Sequence, residues 1–161
     1  MLEFNMPKNR SSKIKVIGVG GGGTNAVNHM HRLGIKDVDL VVSNTDLQSL
    51  DASPVLVKIQ LGETLTEGLG AGTNPERGKA AAEESLSIIN ELLSINTKML
   101  FITCGMGGGT GTGAAPVIAK AARDLGILTV GIVTTPFDFE GPKTRKKALE
   151  GIEELKNHVD A

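Results

Sequence analysis

Two glycine-dense stretches could do chemistry in this chain. The first runs Gly18-Val19-Gly20-Gly21-Gly22-Gly23-Thr24-Asn25, the second Gly105-Met106-Gly107-Gly108-Gly109-Thr110-Gly111-Thr112-Gly113. Backbone without side chains can bring its N–H groups close to an anion, and a helix N-terminus behind it adds aligned peptide dipoles. Phosphate oxygens suit such a cradle, and Thr110 and Thr112 would add hydroxyl donors. Glycines 18, 20 and 23 also satisfy G-x-G-x-x-G, the spacing of a dinucleotide-binding turn. For that stretch, a tight strand–helix turn with no ligand is an open alternative. A dinucleotide fold wants an acid about 20 residues further on, at the end of the second strand. Asp46 lies beyond Ser43-Asn44-Thr45 and fits poorly. No Gly-Lys-Ser/Thr follows either stretch, which excludes a Walker P-loop. Two cradles in one chain point to a single polyphosphate held from two sides and argue against a nicotinamide-dependent oxidoreductase.

The segments around these stretches alternate between two periodicities. Residues 14–19 form a short β-branched run ending in glycine, which reads as a buried strand. A helix is expected over 24–33, closed by Gly34. Strands are expected over 38–43 and 55–59, then a long loop over 61–74. Pro75 and Glu76 suit a first helical turn, with the helix running to about Leu93. A strand over 99–103, a helix over 114–125, a strand over 128–133 and a last helix from Pro142 complete the pattern. Alternation of this kind predicts an α/β fold with a doubly wound, mainly parallel sheet. In such sheets ligands bind beyond the carboxyl ends of the strands, where both glycine stretches fall. Residues 158–161 follow a helix and read as the opening of a further strand, so the chain is expected to be truncated before its last strand and central helix.

Composition narrows the classes. Glycine reaches 21 of 161 residues, about 13% against a usual level of about 7%. Five glycines fall in 18–23, three in 68–72 and six in 105–113, so they cluster instead of spreading as in a linker. The net charge of -1 offers no global pull toward nucleic acid or anionic membrane. No apolar run reaches the roughly 18 residues of a membrane span. Residues 1–12 are polar, lack a signal-peptide core and read as a flexible arm before a domain over 13–161. Cys104 stands alone, which rules out an internal disulfide and reads as a small buried residue at a strand end. His29, His31 and His158 show no metal-ligand spacing.

Gly107 to Gly113, GGGTGTG, closely resembles the signature loop of the tubulin/FtsZ GTPase family. The likeness continues in order through 20–27, Ser43-Asn44-Thr45-Asp46, the GLGAGTNPE of 68–76 and the PFDFEG of 136–141. The GLGAG and PFxFEG forms place it nearer the FtsZ branch than the tubulins. The resemblance implies a cytoplasmic, GTP-binding and GTP-hydrolysing protein that polymerises head to tail into the filaments of the bacterial division ring. It implies GTP or GDP as ligand, with Mg2+ held as a hydrated ion near Asp46 and no direct protein ligand to the metal. Itself would be its main partner; division-ring proteins would bind through regions absent here. No nucleic acid and no membrane insertion are implied.

Roles follow position by position from the same resemblance. Gly21, Gly22, Gly23, Thr24 and Asn25 would lie beside the nucleotide, with Asn25 reaching the base. Asn44 and Asp46 would order phosphates and magnesium. Ala71, Gly72 and Thr73 would sense the γ-phosphate. Gly108, Gly109, Thr110, Gly111 and Thr112 would cradle the α- and β-phosphates. Thr134 and Glu140 would face the ribose. Asp46 as a plain helix cap, and Glu140 as an ordinary surface acid, are the structural alternatives. The family commonly carries a basic residue four positions after that glutamate. This chain has Thr144 there, between Lys143 and Arg145, and Arg145 could substitute only if the helix start adjusts. Lys143, Arg145, Lys146 and Lys147 crowd a helix start, where cations oppose the dipole; a nearby anion would relieve them, and a solvated face is the alternative. No residue reads as a hydrolytic base. The resemblance puts the water-activating acids in a following half that acts on a neighbour's nucleotide, so the chain alone is expected to be inactive, and a non-catalytic GTP-binding fragment that caps polymer ends is the alternative reading.

Overall fold

The computed structural model describes residues 12–161, and the expected N-terminal arm lies outside them except for Ser12, whose N–H donates to Asp39 Oδ2 at 3.1 Å. Five strands form one sheet in the order β3-β2-β1-β4-β5: β1 (Ile14–Val19), β2 (Asp39–Asn44), β3 (Val57–Gln60), β4 (Met99–Gly105) and β5 (Leu128–Thr134). Every pairing is parallel, so the expected doubly wound α/β fold holds and the sheet is wholly, not mainly, parallel. The winding direction reverses between β1 and β4. Crossovers to the left of that point put α1 (Gly20–Arg32) and α2 (Leu47–Asp51) on one face. Those to the right put α3 (Glu63–Thr66), α4 (Pro75–Glu84), α5 (Leu86–Leu93), α6 (Thr110–Asp124) and α7 (Pro142–Lys156) toward the other.

Burial follows from this winding. On the α4–α7 side, Ile17, Val41, Ile59, Leu100, Ile102 and Cys104 pack with Ile89, Leu92, Leu93 and Ile118. Opposite them a smaller cluster joins Val16, Val27, Val42, Leu50 and Val55. Covered on both faces, β1 is nearly continuous in burial, as the sequence run indicates. Its one charge, Lys15, is fully buried, with Nζ donating to Ile95 O at 2.6 Å and 3.5 Å from Asp39 Oδ2.

Several boundaries differ from expectation, each for a local reason. The first helix begins at Gly20, not residue 24, because Gly20 turns at φ +71° and Gly21 to Gly23 then form the opening turn. Likewise α6 starts at Thr110, so the second glycine stretch is half loop and half helix. The helix expected from Pro75 to Leu93 breaks at Ser85, whose hydroxyl accepts from Gly62 N at 2.9 Å and so faces the chain leaving β3. The long loop over 61–74 contains α3, and α2, absent from the expected element order, is the helix that the cap alternative for Asp46 requires. Residues 158–161, read as the opening of a strand, lie along β5: Asp160 N donates to Thr129 O at 2.8 Å and Gly131 N to Ala161 O at 2.9 Å.

Candidate functional site

Because the sheet is all parallel, the chain leaving each strand emerges at one edge. The turns after β1 and β4 flank the point where the winding reverses, and they are the two glycine stretches. Their glycines serve different ends. Gly18 and Gly23 let α1 sit hard against the sheet: a Cβ on Gly23 would lie 2.3 Å from Thr103 O, and one on Gly18 2.3 Å from Gly23 O. Gly111 does the same for α6, where a Cβ would lie 2.5 Å from Gly105 O at the end of β4, and Gly113 seats α6 against α4, where a Cβ would lie 1.9 Å from Pro75 O. A side chain on Gly109 would press into the 68–74 loop, 2.9 Å from both Ala71 Cβ and Asn74 N. Gly21 and Gly108 differ from all of these. Nothing lies within 4 Å of where their Cβ would be, and neither has the positive φ that favours glycine. One lies in each stretch, both are exposed, and nothing among the described residues requires either to be bare.

The remaining residues sort by exposure. Gly22, Asn25, Gly72, Thr73, Thr134 and Glu140 are exposed and Asp46 is half-buried. Gly23, Thr24, Asn44, Ala71, Gly109, Thr110, Gly111 and Thr112 are buried, so they shape the edge from beneath. Asn44 Oδ1 accepts from Thr45 N at 2.9 Å and fixes the turn after β2. Thr110 and Thr45 share a hydroxyl–hydroxyl bond of 2.7 Å, tying the β2 turn to the head of α6. The Thr112 hydroxyl oxygen accepts from Gly107 N at 2.9 Å and holds the β4 turn closed. Thr24 Oγ1 is buried with no hydrogen-bond partner among the described residues, an uncommon condition for a hydroxyl. Asp46 caps α2, accepting from Ser49 N at 2.9 Å, so the structural alternative for that residue is in place; one carboxylate oxygen suffices for it.

On the far side of the edge, Glu140 Oε1 accepts from Phe137 N at 3.1 Å and orders the turn before α7. Thr144 rests against Gly107, where a Cβ would lie 2.7 Å from its methyl. Arg145 points to Asp138 instead, at 3.0 Å, with both side chains exposed. The 68–74 loop joins the edge through an isolated bridge between Asp46 and Leu69, and Gly70 N donates to Thr45 O at 3.2 Å. Sequence reasoning did not single out Thr45 or Ser43, whose hydroxyl donates to Gly18 O at 3.0 Å. Their partners lie 65 and 25 residues away, and no local spacing announces such pairs. A groove of about 930 Å³ runs over the outer side of α6 between α4 and α7. It shares Thr112 and Gly113 with the cradle but lies behind it, away from Gly21 and Gly108.

The chemistry this edge suits is that of an anion. Two glycine turns adjoin there, with a Cβ on Gly22 falling 3.1 Å from Gly105 N, each turn runs into a helix N-terminus, and Asp46 follows the neighbouring strand β2. Among the described residues no group of three or more His, Cys, Asp or Glu side chains could hold a metal ion directly. None of the described helices is long and apolar enough to cross a membrane.

Residues 13–161 match the tubulin/FtsZ family, GTPase domain. The chain is 58% identical over 149 residues to the cell division protein FtsZ of Aquifex aeolicus (strain VF5), covering 92% of this chain and 40% of that protein. It superposes on an FtsZ dimer structure from M. jannaschii with a TM-score of 0.90 at 46% identity, covering 94% of this chain and 44% of that one. CetZ2 from Haloferax volcanii, solved as a GTPγS-bound protofilament, aligns with a TM-score of 0.83 at 27% identity, over 92% of this chain and 47% of that chain. The chain thus spans less than half the length of each.

Proposed function

From the premise that this chain belongs to the tubulin/FtsZ family of GTPase domains, we propose that its sheet edge binds GTP and GDP as the nucleotide-binding half of a cell-division filament protein. The observation that carries this reading is the pair Gly21 and Gly108, bare without internal cause and facing open space from opposite turns. A diphosphate between them would meet backbone N–H groups on both sides. Thr73 and Gly72 approach from the third side, in position for a terminal phosphate, and Thr134 and Glu140 border the ribose end. Asn25, exposed on α1, is the proposed base contact. Magnesium, when bound, would neutralise phosphate charge; Asp46 would hold it through water.

Hydrolysis needs a water aligned with the terminal phosphate. Asp46 and Glu140 each already hold a backbone N–H, at Ser49 and Phe137. These roles point both carboxylates to positioning, and on the likeness to the longer family members we assign the water-activating acids to a neighbouring subunit, from the portion of those relatives that this chain does not span. Self-association fits the same edge. Leu69, Phe137 and Phe139 are 82%, 70% and 85% exposed around it, and the two rings stack at 5.3 Å. An apolar rim of this kind suits a partner laid over the nucleotide. Calorimetry tests the ligand: GTP and GDP should bind, magnesium should strengthen GTP, and NAD should give no heat. NAD binding with GTP ignored would overturn the reading.

A further inference from the structure

We propose that Lys147 is a positioning residue that holds the tip of the 68–74 loop in the shape that receives a terminal phosphate. This makes α7 part of the discrimination between tri- and diphosphate. The proposal rests on the guanine-nucleotide reading above. Lys147 belongs to the basic run at the start of α7 that no ligand contact absorbs. Its Nζ donates to Thr73 O at 2.7 Å, across 74 residues of sequence.

The loop needs such a hold. Gly68, Gly70, Gly72 and Thr73 all have positive φ, and Thr73, at φ +59°, pays for that conformation with a side-chain clash that glycine avoids. The base of the loop is tied down by Leu47 N to Gly68 O and Gly70 N to Thr45 O, and its exit by Asn74 capping α4. Between those ties Gly72 and Thr73 are exposed, and a Cβ on Gly72 would meet nothing within 4 Å. Lys147 reaches this tip from α7.

The helix that carries it is firmly seated. Thr144 rests on Gly107, and Gly151 lies so close to Thr112 that a Cβ there would be 2.4 Å from its methyl. Residues 144, 147 and 151 share one helical stripe, so these contacts fix where the lysine stem begins. Three contacts then close a ring: Gly109 against Ala71 and Asn74, Gly107 against Thr144, and Lys147 against Thr73. Two sides of the ring are backbone packing. The third is a single ammonium group, so a change there can alter the loop without disturbing the core.

The test compares the 161-residue chain with Lys147→Gln and Lys147→Arg. Affinities are measured by calorimetry for a non-hydrolysable GTP analogue and for GDP, and amide exchange is followed at Asn74, whose N–H bonds to Ala71 O. In K147Q the analogue should bind about tenfold more weakly while GDP changes less than about twofold, because only the triphosphate requires the ordered tip. Exchange at Asn74 should accelerate without nucleotide, while amides in the middle of α6 stay as they were. K147R should restore both. An unchanged ratio of the two affinities, or unchanged Asn74 exchange, overturns the proposal. If the unaltered chain ignored both nucleotides while K147Q still accelerated Asn74 exchange, the guanine-nucleotide reading would fall and Lys147 would stand as the anchor of the loop.

Discussion

Gly108 and Gly113 lie five positions apart and answer to different constraints. A side chain at 108 would enter open space, whereas one at 113 would collide with the Pro75 carbonyl. Gly108→Val should therefore leave thermal unfolding nearly unchanged and weaken GTP binding at least about tenfold by filling the room a phosphate needs. Gly113→Ala should instead destabilise the fold by about 3 kcal/mol, the upper end of the usual cost of overpacking a core contact. Equal melting losses for the two variants would show that Gly108 also has a packing reason. Lys15 gives a second residue-level expectation. Burial pulls its pKa below the usual 10.5, and Asp39 offsets only part of that. The folded state thus holds this proton more weakly than the unfolded chain, so the charge costs stability at neutral pH. Stability should rise as pH climbs from the folded pKa toward 10.5. Denaturant unfolding of the parent and Lys15→Met across alkaline pH checks this: the upward slope should be smaller in the variant.

Among the elements, α4 shows how a cap can serve a site. Asn74 Oδ1 accepts from Glu76 N at 3.0 Å and from Arg77 N at 3.4 Å, and Pro75 opens the helix. Asn74→Ala should cost about 1 kcal/mol, the usual worth of such a cap, and should weaken GTP more than GDP if the loop that this residue ends receives the terminal phosphate as proposed. Loss of stability with no change in nucleotide preference would separate the cap from the site. The Pro75 start was legible because its signals are local: proline at the first turn and an acid beside it. The break at Ser85 was not, since it depends on a hydroxyl meeting Gly62, 23 residues away. The glycine stretches were legible as tight, side-chain-free turns between strand and helix. Their division into packing glycines and open ones was not, because composition is the same for both and only the opposing backbone decides. Arg145, weighed as a substitute for the basic residue of the family, turns toward Asp138, a partner set by the local turn and not by spacing along α7.

The whole molecule is a sheet with unequal covers: a broad core under α4–α7, a narrow one under α1 and α2, and, where the winding reverses, the edge proposed to take the nucleotide. If a second subunit lies over that edge, its apolar rim should matter to assembly and not to folding. Phe139→Ser with Leu69→Ser should leave nucleotide affinity and melting near those of the parent while abolishing any concentration-dependent assembly seen by light scattering with GTP. Assembly that persists would move the interface elsewhere. Turnover by the chain alone should be negligible at every concentration; robust phosphate release would place the catalytic group within these 161 residues.

Cys104 lies one residue below the second cradle, buried, its thiol pKa pushed up to about 12 by desolvation, with its Cβ 3.3 Å from where a Cβ on Gly111 would be. Such a thiol should stay unreactive while the head of α6 is down and should become alkylatable when that turn lifts. The lone cysteine would then serve as a built-in clock for breathing of the proposed phosphate site, readable by mass shift without any engineered label. Iodoacetamide should modify it slowly in the empty protein. Saturating GDP should slow it further, by a factor approaching one plus the ratio of ligand concentration to dissociation constant, because the ligand binds only the closed form.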